Sequence, residues 1–189
     1  MQPNEIIERF KATGALLEGH FVLSSGLHSS KYLQCALVLQ HPAEAERFGQ
    51  AIAEHFQGRG IELVASPAIG GIVIGHEVAR QLGARFIWTE RECGQMILRR
   101  GFSVSPGEKT LVVEDVVTTG GSTLETVKAL QAANANVIAA ASIIDRSDGH
   151  AEVGVPRIAL ATLNVPAVEP LVCELCKRDE PIVKPGSRK

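Results

Sequence analysis

The chain is expected to fold as an α/β protein, with a mainly parallel sheet flanked by helices and a smaller, partly β segment at its N-terminus. Three observations predict this. Apolar runs such as Leu111-Val112-Val113 and Ile143-Ile144 are continuous instead of alternating. That marks strands buried on both faces, hence parallel strands covered by helices. Strand-like and helix-like stretches then take turns along residues 41–165, the order of βα units. The first 40 residues break that rhythm, with irregular, partly β patterning over residues 19–40.

The elements follow in order. Ile6, Ile7 and Phe10 suggest a short first helix. Residues 43–56 read as a helix with Ala45, Phe48, Ile52 and Phe56 on one face, and residues 61–65 as a strand. Gly70-Gly71 and Gly83 bound a helix over residues 71–82. Residues 85–88 and 110–113 are strands, and a helix follows over residues 122–133. Residues 136–144 and 158–163 complete the sheet, leaving residues 166–189 as a C-terminal tail. At 189 residues the three parts, 1–40, 41–165 and 166–189, make one structural domain.

Composition narrows the function classes. The net charge of −2 exerts no global pull on nucleic acid or a membrane surface. No run of about 18 apolar residues occurs, and Met1-Gln2-Pro3-Asn4-Glu5 lacks a basic-then-apolar signal. A cytoplasmic protein with neither nucleic acid nor membrane as partner is the expectation.

The chemistry concentrates in residues 111–123, Leu-Val-Val-Glu-Asp-Val-Val-Thr-Thr-Gly-Gly-Ser-Thr. An apolar strand ends in two carboxylates, Glu114 and Asp115. Val116, Val117, Thr118, Thr119, Gly120, Gly121 and Ser122 follow, and a helical pattern opens. Glycines let backbone approach a ligand closely. The first N–H groups of a helix lack intrahelical partners and, with the helix dipole, favour a phosphate. Carboxylates repel phosphate, so Glu114 and Asp115 make sense as acceptors for ribose hydroxyls or as partners of a divalent cation. The ligand is read as a sugar phosphate. No Gly-Lys-Ser/Thr follows the glycines, so this is not a Walker loop.

Three other segments are expected at the same carboxyl end of the sheet. Ser66-Pro67-Ala68-Ile69-Gly70-Gly71 is a second small-residue loop opening a helix, a second anion cradle. Residues 89–102 form a long charged connection in which Arg91, Arg99 and Arg100 could supply positive charge, Arg91 first because it lies just past the strand end. Arg146, after Ile143-Ile144-Asp145, offers a planar guanidinium to a carboxylate or a carbonyl-rich ring, with a salt bridge to Asp145 or Asp148 as the plain alternative.

Residues 111–123 resemble the phosphoribosyl-pyrophosphate (PRPP) motif of type I phosphoribosyltransferases. The segment Gly19-His20-Phe21-Val22-Leu23-Ser24-Ser25-Gly26, with Tyr32 beyond it, looks like the base-covering hood of the orotate phosphoribosyltransferases, and residues 183–188 look like a bacterial branch of that family. The resemblance implies the type I phosphoribosyltransferase fold and transfer of phosphoribosyl from PRPP to orotate, giving orotidine 5′-monophosphate and pyrophosphate in pyrimidine biosynthesis. It implies that Glu114 and Asp115 bind the ribose hydroxyls, and that Val116 to Ser122 cradle the 5-phosphate. Thr118 also reaches orotate, Arg146 binds orotate, and Ser24 and Ser25 lie in the hood. It implies Mg²⁺, a homodimer, pyrophosphate at residues 66–71, and a mobile loop at residues 89–102 that closes over PRPP.

The sequence departs from the family pattern in places. Gly70 and Ser24 stand where lysines are common, and the loop at 89–102 has arginines but no lysine or histidine. A histidine general acid in that loop is therefore excluded by composition. Cys173 and Cys176 have metal-ligand spacing, but there is no second Cys-x-x-Cys, and no two of the six histidines show ligand spacing. Ordinary thiols are expected, with a zinc site shared across a dimer or a redox pair as alternatives. Two other function classes stay open, transfer to a purine or other base and a regulator that only senses PRPP.

Overall fold

The computed structural model describes residues 1–23 and 26–184. It opens with α1 (Pro3–Ala12), β1 (Leu16–Val22), β2 (His28–Leu33), α2 (Cys35–Leu39) and α3 (Pro42–Glu54). Then come β3 (Leu63–Pro67), α4 (Gly71–Leu82), β4 (Arg85–Glu92), β5 (Gln95–Leu98), β6 (Lys109–Val117), α5 (Gly121–Ala132), β7 (Asn136–Asp145) and β8 (Arg157–Thr162). A 3-10 turn (Pro170–Val172), α6 (Glu174–Lys177) and β9 (Ile182–Val183) follow. Six strands form the main sheet in the order β5-β4-β3-β6-β7-β8. Every pair is parallel except β4–β5.

The continuous apolar runs explain the layers. Along β3 and β6, alternate residues serve opposite cores. Val64, Leu111 and Val113 join Ile6, Phe10, Phe48, Ile52, Ile74 and Val78 from α1, α3 and α4. Leu63, Ala65 and Val112 join Val127 and Leu130 from α5 on the other face. A strand covered on both sides has no polar face to alternate. Helix α4 lies very close to the sheet because Gly75 has no side chain; a Cβ there would meet the Ser66 hydroxyl and come 2.6 Å from Phe86 Cε2.

Helices α3, α4 and α5 match the expected spans to within about two residues, and Ala45, Phe48, Ile52 and Phe56 are buried as the periodicity of residues 43–56 required. The short helices α2 and α6 fall where the sequence pattern predicted none, and the other differences lie at strand ends. The motif strand does not stop at Val113: its ladder with β7 continues through Val116↔Ile144 and Val117↔Asp145. Glu114 and Asp115 therefore sit within a strand, held in register by β7 alongside.

Residues 89–102 are not an open loop. Residues 89–92 extend β4, and β5 folds back on them through Thr89↔Leu98 to Glu92↔Gln95. Cys93 and Gly94 form the tight reversal, both at positive φ (48° and 83°). The N-terminal segment forms a second sheet, β2-β1-β9, in which the tail supplies the third strand. The tail also pairs at His28↔Val168, so residues 166–184 are attached to the hood.

Candidate active site

The cradle forms where β6 runs into α5. Glu114, Val116, Val117, Thr118, Thr119, Gly120, Gly121, Ser122 and Thr123 line one cleft. Gly120 turns the chain at φ 80°, and a Cβ there would press on Val153 Cγ1 at 3.0 Å and Ala151 Cβ at 3.2 Å. Only glycine meets both demands without strain. No side chain caps α5, and Leu124 N–H is the donor that reaches Gly120 O, at 2.8 Å. The N–H groups of Gly121, Ser122 and Thr123 precede that bond, at the positive end of the helix dipole. Backbone N–H groups arranged in this way can hold an anion.

The two acids differ. Glu114 is buried, and that burial, aided by Asp115 beside it, pushes its carboxyl well above the usual range. Asp115 is half-buried and accepts the Val116 N–H through Oδ1 at 2.8 Å. The second small-residue loop lies directly against both. A Cβ on Gly70 would fall 2.7 Å from Asp115 Oδ2, and one on Gly71 would fall 3.1 Å from Glu114 Oε1. The bend contains a non-proline cis peptide between Ala68 and Ile69. Helix α4 starts here, again with no side-chain cap. Two uncapped helix starts thus flank one pair of carboxylates.

Arg146 follows β7 at the same sheet end, tied by its N–H to Val117 O at 2.8 Å. Its guanidinium is half-buried and its Nε has no hydrogen-bond partner. Burial lowers its affinity for a proton. Among the described residues no carboxylate forms an ion pair with it, so the salt bridge to Asp145 or Asp148 is not made. The hood reaches this place. Burial pushes the Tyr32 hydroxyl up, with Arg146 pulling it back and Asp115 adding to the rise. Burial raises the Cys35 thiol well above its ordinary value, with Asp115 and Glu114 adding to the effect. Tyr32 and Cys35 therefore lie within electrostatic reach of Arg146 and the acids. Ser24 and Ser25, also expected in the hood, lie outside the described residues.

The arginines of the hairpin are engaged with one another's neighbours. Arg91 donates to Gly94 O at 2.6 Å and pairs with Glu125 of α5 at 2.5 Å. Arg100 pairs with Glu90 at 2.6 Å, and Arg99 lies 3.6 Å from Glu90 and 3.5 Å from Glu92. Sequence spacing placed Arg91 just past a strand end; pairing with β5 puts it inside the strand. Glu125, one turn into α5, is the partner that the sequence reading did not identify.

Asp145 has a structural task. Its carboxylate accepts Ser147 N–H at 2.8 Å, Ser147 Oγ–H at 2.6 Å, Gly149 N–H at 2.9 Å and Arg157 Nη2–H at 3.0 Å. Burial works to raise its pKa, but these donors outweigh it and hold the carboxyl at about 2. A depressed carboxyl contributes stability above its unfolded value, and that contribution is lost as pH falls from 3.8 through about 2. Asp145→Asn should cost ~2 kcal/mol at neutral pH. Urea melts of both proteins should show the gap closing below ~pH 4; a gap unchanged at pH 2.5 (roughly the midpoint of the loss) would separate it from ionisation.

The comparisons agree with this geometry. The model of the phosphoribosyl transferase domain matches residues 36–158. The orotate phosphoribosyltransferase of Caldicellulosiruptor bescii is 51% identical over 189 residues, all of both chains. That of Chlorobium phaeobacteroides is 49% identical over 188 residues, 100% of this chain and 97% of the relative. Among solved structures, orotate phosphoribosyltransferase from Aeropyrum pernix superposes with a TM-score of 0.68 at 26% identity, covering 84% of this chain and 93% of that one. The adenine phosphoribosyltransferase of Thermoanaerobacter pseudethanolicus shares the fold alone, with a TM-score of 0.60 at 17% identity over 70% of this chain and 88% of that one. With its cradle, paired acids and hood in place, the chain belongs to the phosphoribosyltransferase family, and within it to the orotate phosphoribosyltransferases.

Proposed function

We propose that this protein transfers the phosphoribosyl group of PRPP to orotate, giving orotidine 5′-monophosphate and pyrophosphate in the de novo synthesis of UMP. The observation that carries this is the half-buried Arg146, which has no ion pair among the described residues and follows β7 at the sheet end that carries the paired acids and the anion cradle. A half-buried guanidinium without a carboxylate partner among the described residues suits an anionic planar ring such as orotate.

In this reading the N–H groups at the start of α5, with Thr118, Thr119 and Ser122, hold the 5-phosphate. The loop at residues 66–71 holds pyrophosphate, and Glu114 and Asp115 accept the ribose hydroxyls. Orotate N1 forms a bond to C1 as the C1–O bond to pyrophosphate breaks; pyrophosphate leaves with that electron pair, and N1 gives up its proton. Positive charge builds on the ribose, so the protein contributes orientation and electrostatics without a side-chain nucleophile. The carboxylate oxygens of Glu114 and Asp115 suit a hard divalent cation, so Mg²⁺ fits beside them. When bound it neutralises pyrophosphate oxygens.

Arg91 is the proposed source of further positive charge. Its contacts to Glu125 and Gly94 lie at a partly exposed surface, where an ion pair contributes little and can be exchanged for a ligand. We take the working form to be a homodimer in the cytoplasm, in which the β4–β5 hairpin reaches the neighbouring site; light scattering after gel filtration reads the state.

The test is turnover with PRPP and Mg²⁺, offering orotate, adenine, hypoxanthine and uracil in parallel. Orotate-selective, Mg²⁺-dependent pyrophosphate release is expected. Turnover with another base would overturn the roles given to the hood and Arg146. PRPP binding without any turnover would make the protein a sensor.

A further inference from the structure

The tail and the hood bring together four side chains that the transfer reaction does not use. His20 comes from β1, His28 from the start of β2, and Cys173 and Cys176 from the turn into α6. Their ligand atoms all lie within 4.8 Å of one another. His20, His28 and Cys173 are buried and Cys176 is partly so. The histidines, without ligand spacing in sequence, meet because Val22 pairs with His28 across the hairpin. His20 lies two residues before Val22, at an irregularity of the ladder between Glu18 and Phe21, and its ring meets that of His28 at a centroid distance of 4.9 Å.

The distances have the form of a tetrahedral site. His20 Nε2 lies 3.0 Å from His28 Nδ1, 3.5 Å from Cys173 Sγ and 3.6 Å from Cys176 Sγ. Cys176 Sγ lies 3.2 Å from His28 Nδ1. Ligands at Zn–N of about 2.0 Å and Zn–S of about 2.3 Å, set tetrahedrally, are about 3.3 Å apart for two nitrogens and about 3.5 Å apart for nitrogen and sulfur.

The tautomer agrees. His20 Nδ1 lies 2.9 Å from Glu180 O, which can only accept, so the proton is on Nδ1 and the lone pair on Nε2 faces the cluster. A backbone carbonyl on the far nitrogen is the usual support of a metal-bound imidazole. That single lone pair has three close neighbours and can satisfy one by hydrogen bonding; a cation at the centre satisfies all four donors. Two thiolates would also cancel a dication, leaving the buried site without net charge.

We infer that His20, His28, Cys173 and Cys176 form a Zn²⁺ site within a single chain. The soft, mixed sulfur and nitrogen donor set selects zinc over Mg²⁺ or Ca²⁺. Four protein ligands leave no open position, so the site is structural. It fastens the tail to β1 and β2, where two-residue β9 and the His28↔Val168 bridge are short pairings. The site explains the Cys-x-x-Cys without a second copy of the chain.

The experiment measures metal in the full chain purified without a histidine tag. Elemental analysis should find about one zinc per chain, falling to under about a tenth in Cys173→Ser and Cys176→Ser and unchanged in Cys93→Ser. Reduced, metal-free protein given cobalt chloride should show the visible bands and thiolate charge transfer of tetrahedral Co²⁺, displaced by zinc chloride. The cobalt measurement uses the unmutated chain, so the test survives variants that fail to fold. Absence of stoichiometric zinc together with no cobalt spectrum would overturn the site. So would zinc retained in both cysteine variants, or a Cys173–Cys176 disulfide in metal-free protein that excludes cobalt until reduced and afterwards still gives no tetrahedral spectrum.

Discussion

Asp115→Asn should lower kcat/KM for phosphoribosyl transfer by ~10²–10³-fold, about 3–4 kcal/mol of transition-state stabilisation. Thermal stability should be nearly unchanged. Asp115 is half-buried, and its one backbone contact, from Val116 N–H to Oδ1, is available to the amide oxygen of asparagine. What disappears is the negative charge facing a sugar that turns cationic. Glu114→Gln supplies the contrast. Glu114 is buried next to a like charge, and both conditions disfavour its ionised form. The amide should therefore raise the melting temperature while lowering activity, because the fold holds a carboxylate where an uncharged group would be cheaper. Steady-state kinetics and melting curves on both variants check this. Full turnover in Asp115→Asn would remove the acid pair from the chemistry.

The difference between the two acids was not legible in the sequence, although the acids were. An apolar run followed by two carboxylates, a glycine turn and a helix pattern locates a strand, a cradle and a helix, because each local preference agrees with the next. Full burial of one acid and half-burial of its neighbour depend on what packs above them. Here that is Gly70-Gly71, far upstream in the chain. The length of β6 was equally hidden. Val116-Val117 could belong to a loop or a strand, and only pairing with Ile144 and Asp145 decides between them.

The same reason accounts for the two larger revisions. Residues 89–102 carry enough charge to read as a solvated loop. The charges on opposite strands and beyond are complementary, Glu90 with Arg99 and Arg100, so the segment folds back as a hairpin. His20 and His28 show no ligand spacing because a pair of strands, not a helix or a knuckle, brings them together. A signal was present nonetheless: two histidines on either side of a Ser-Ser-Gly sequence, combined with a distant Cys-x-x-Cys. Reading it required the register of β1 on β2, and register is set by pairing, not by composition.

Arg146→Met should raise the orotate KM by ~10²-fold, about 2.7 kcal/mol, while PRPP affinity shifts by less than about threefold. The argument begins with what Arg146 lacks. Its Nε is buried without a partner, and burial lowers its proton affinity. A half-buried cation without a counter-charge costs the unliganded fold free energy. An apolar side chain of similar length should therefore leave the melting temperature unchanged or raise it. A structural arginine would do the opposite, as Arg157 should, since its Nη2 holds Asp145 at 3.0 Å. Orotate offers the missing counter-charge, and its carboxylate and ring carbonyl match a planar pair of N–H donors. Binding of PRPP uses the start of α5 and the acids, and the tie of Arg146 to the neighbouring strand, its backbone N–H to Val117 O, is kept by methionine. Titration of each substrate against the variant separates these effects. A loss of PRPP affinity equal to that of orotate, or a fall in melting temperature with KM unchanged, would assign Arg146 to the scaffold and leave orotate to be recognised by the hood.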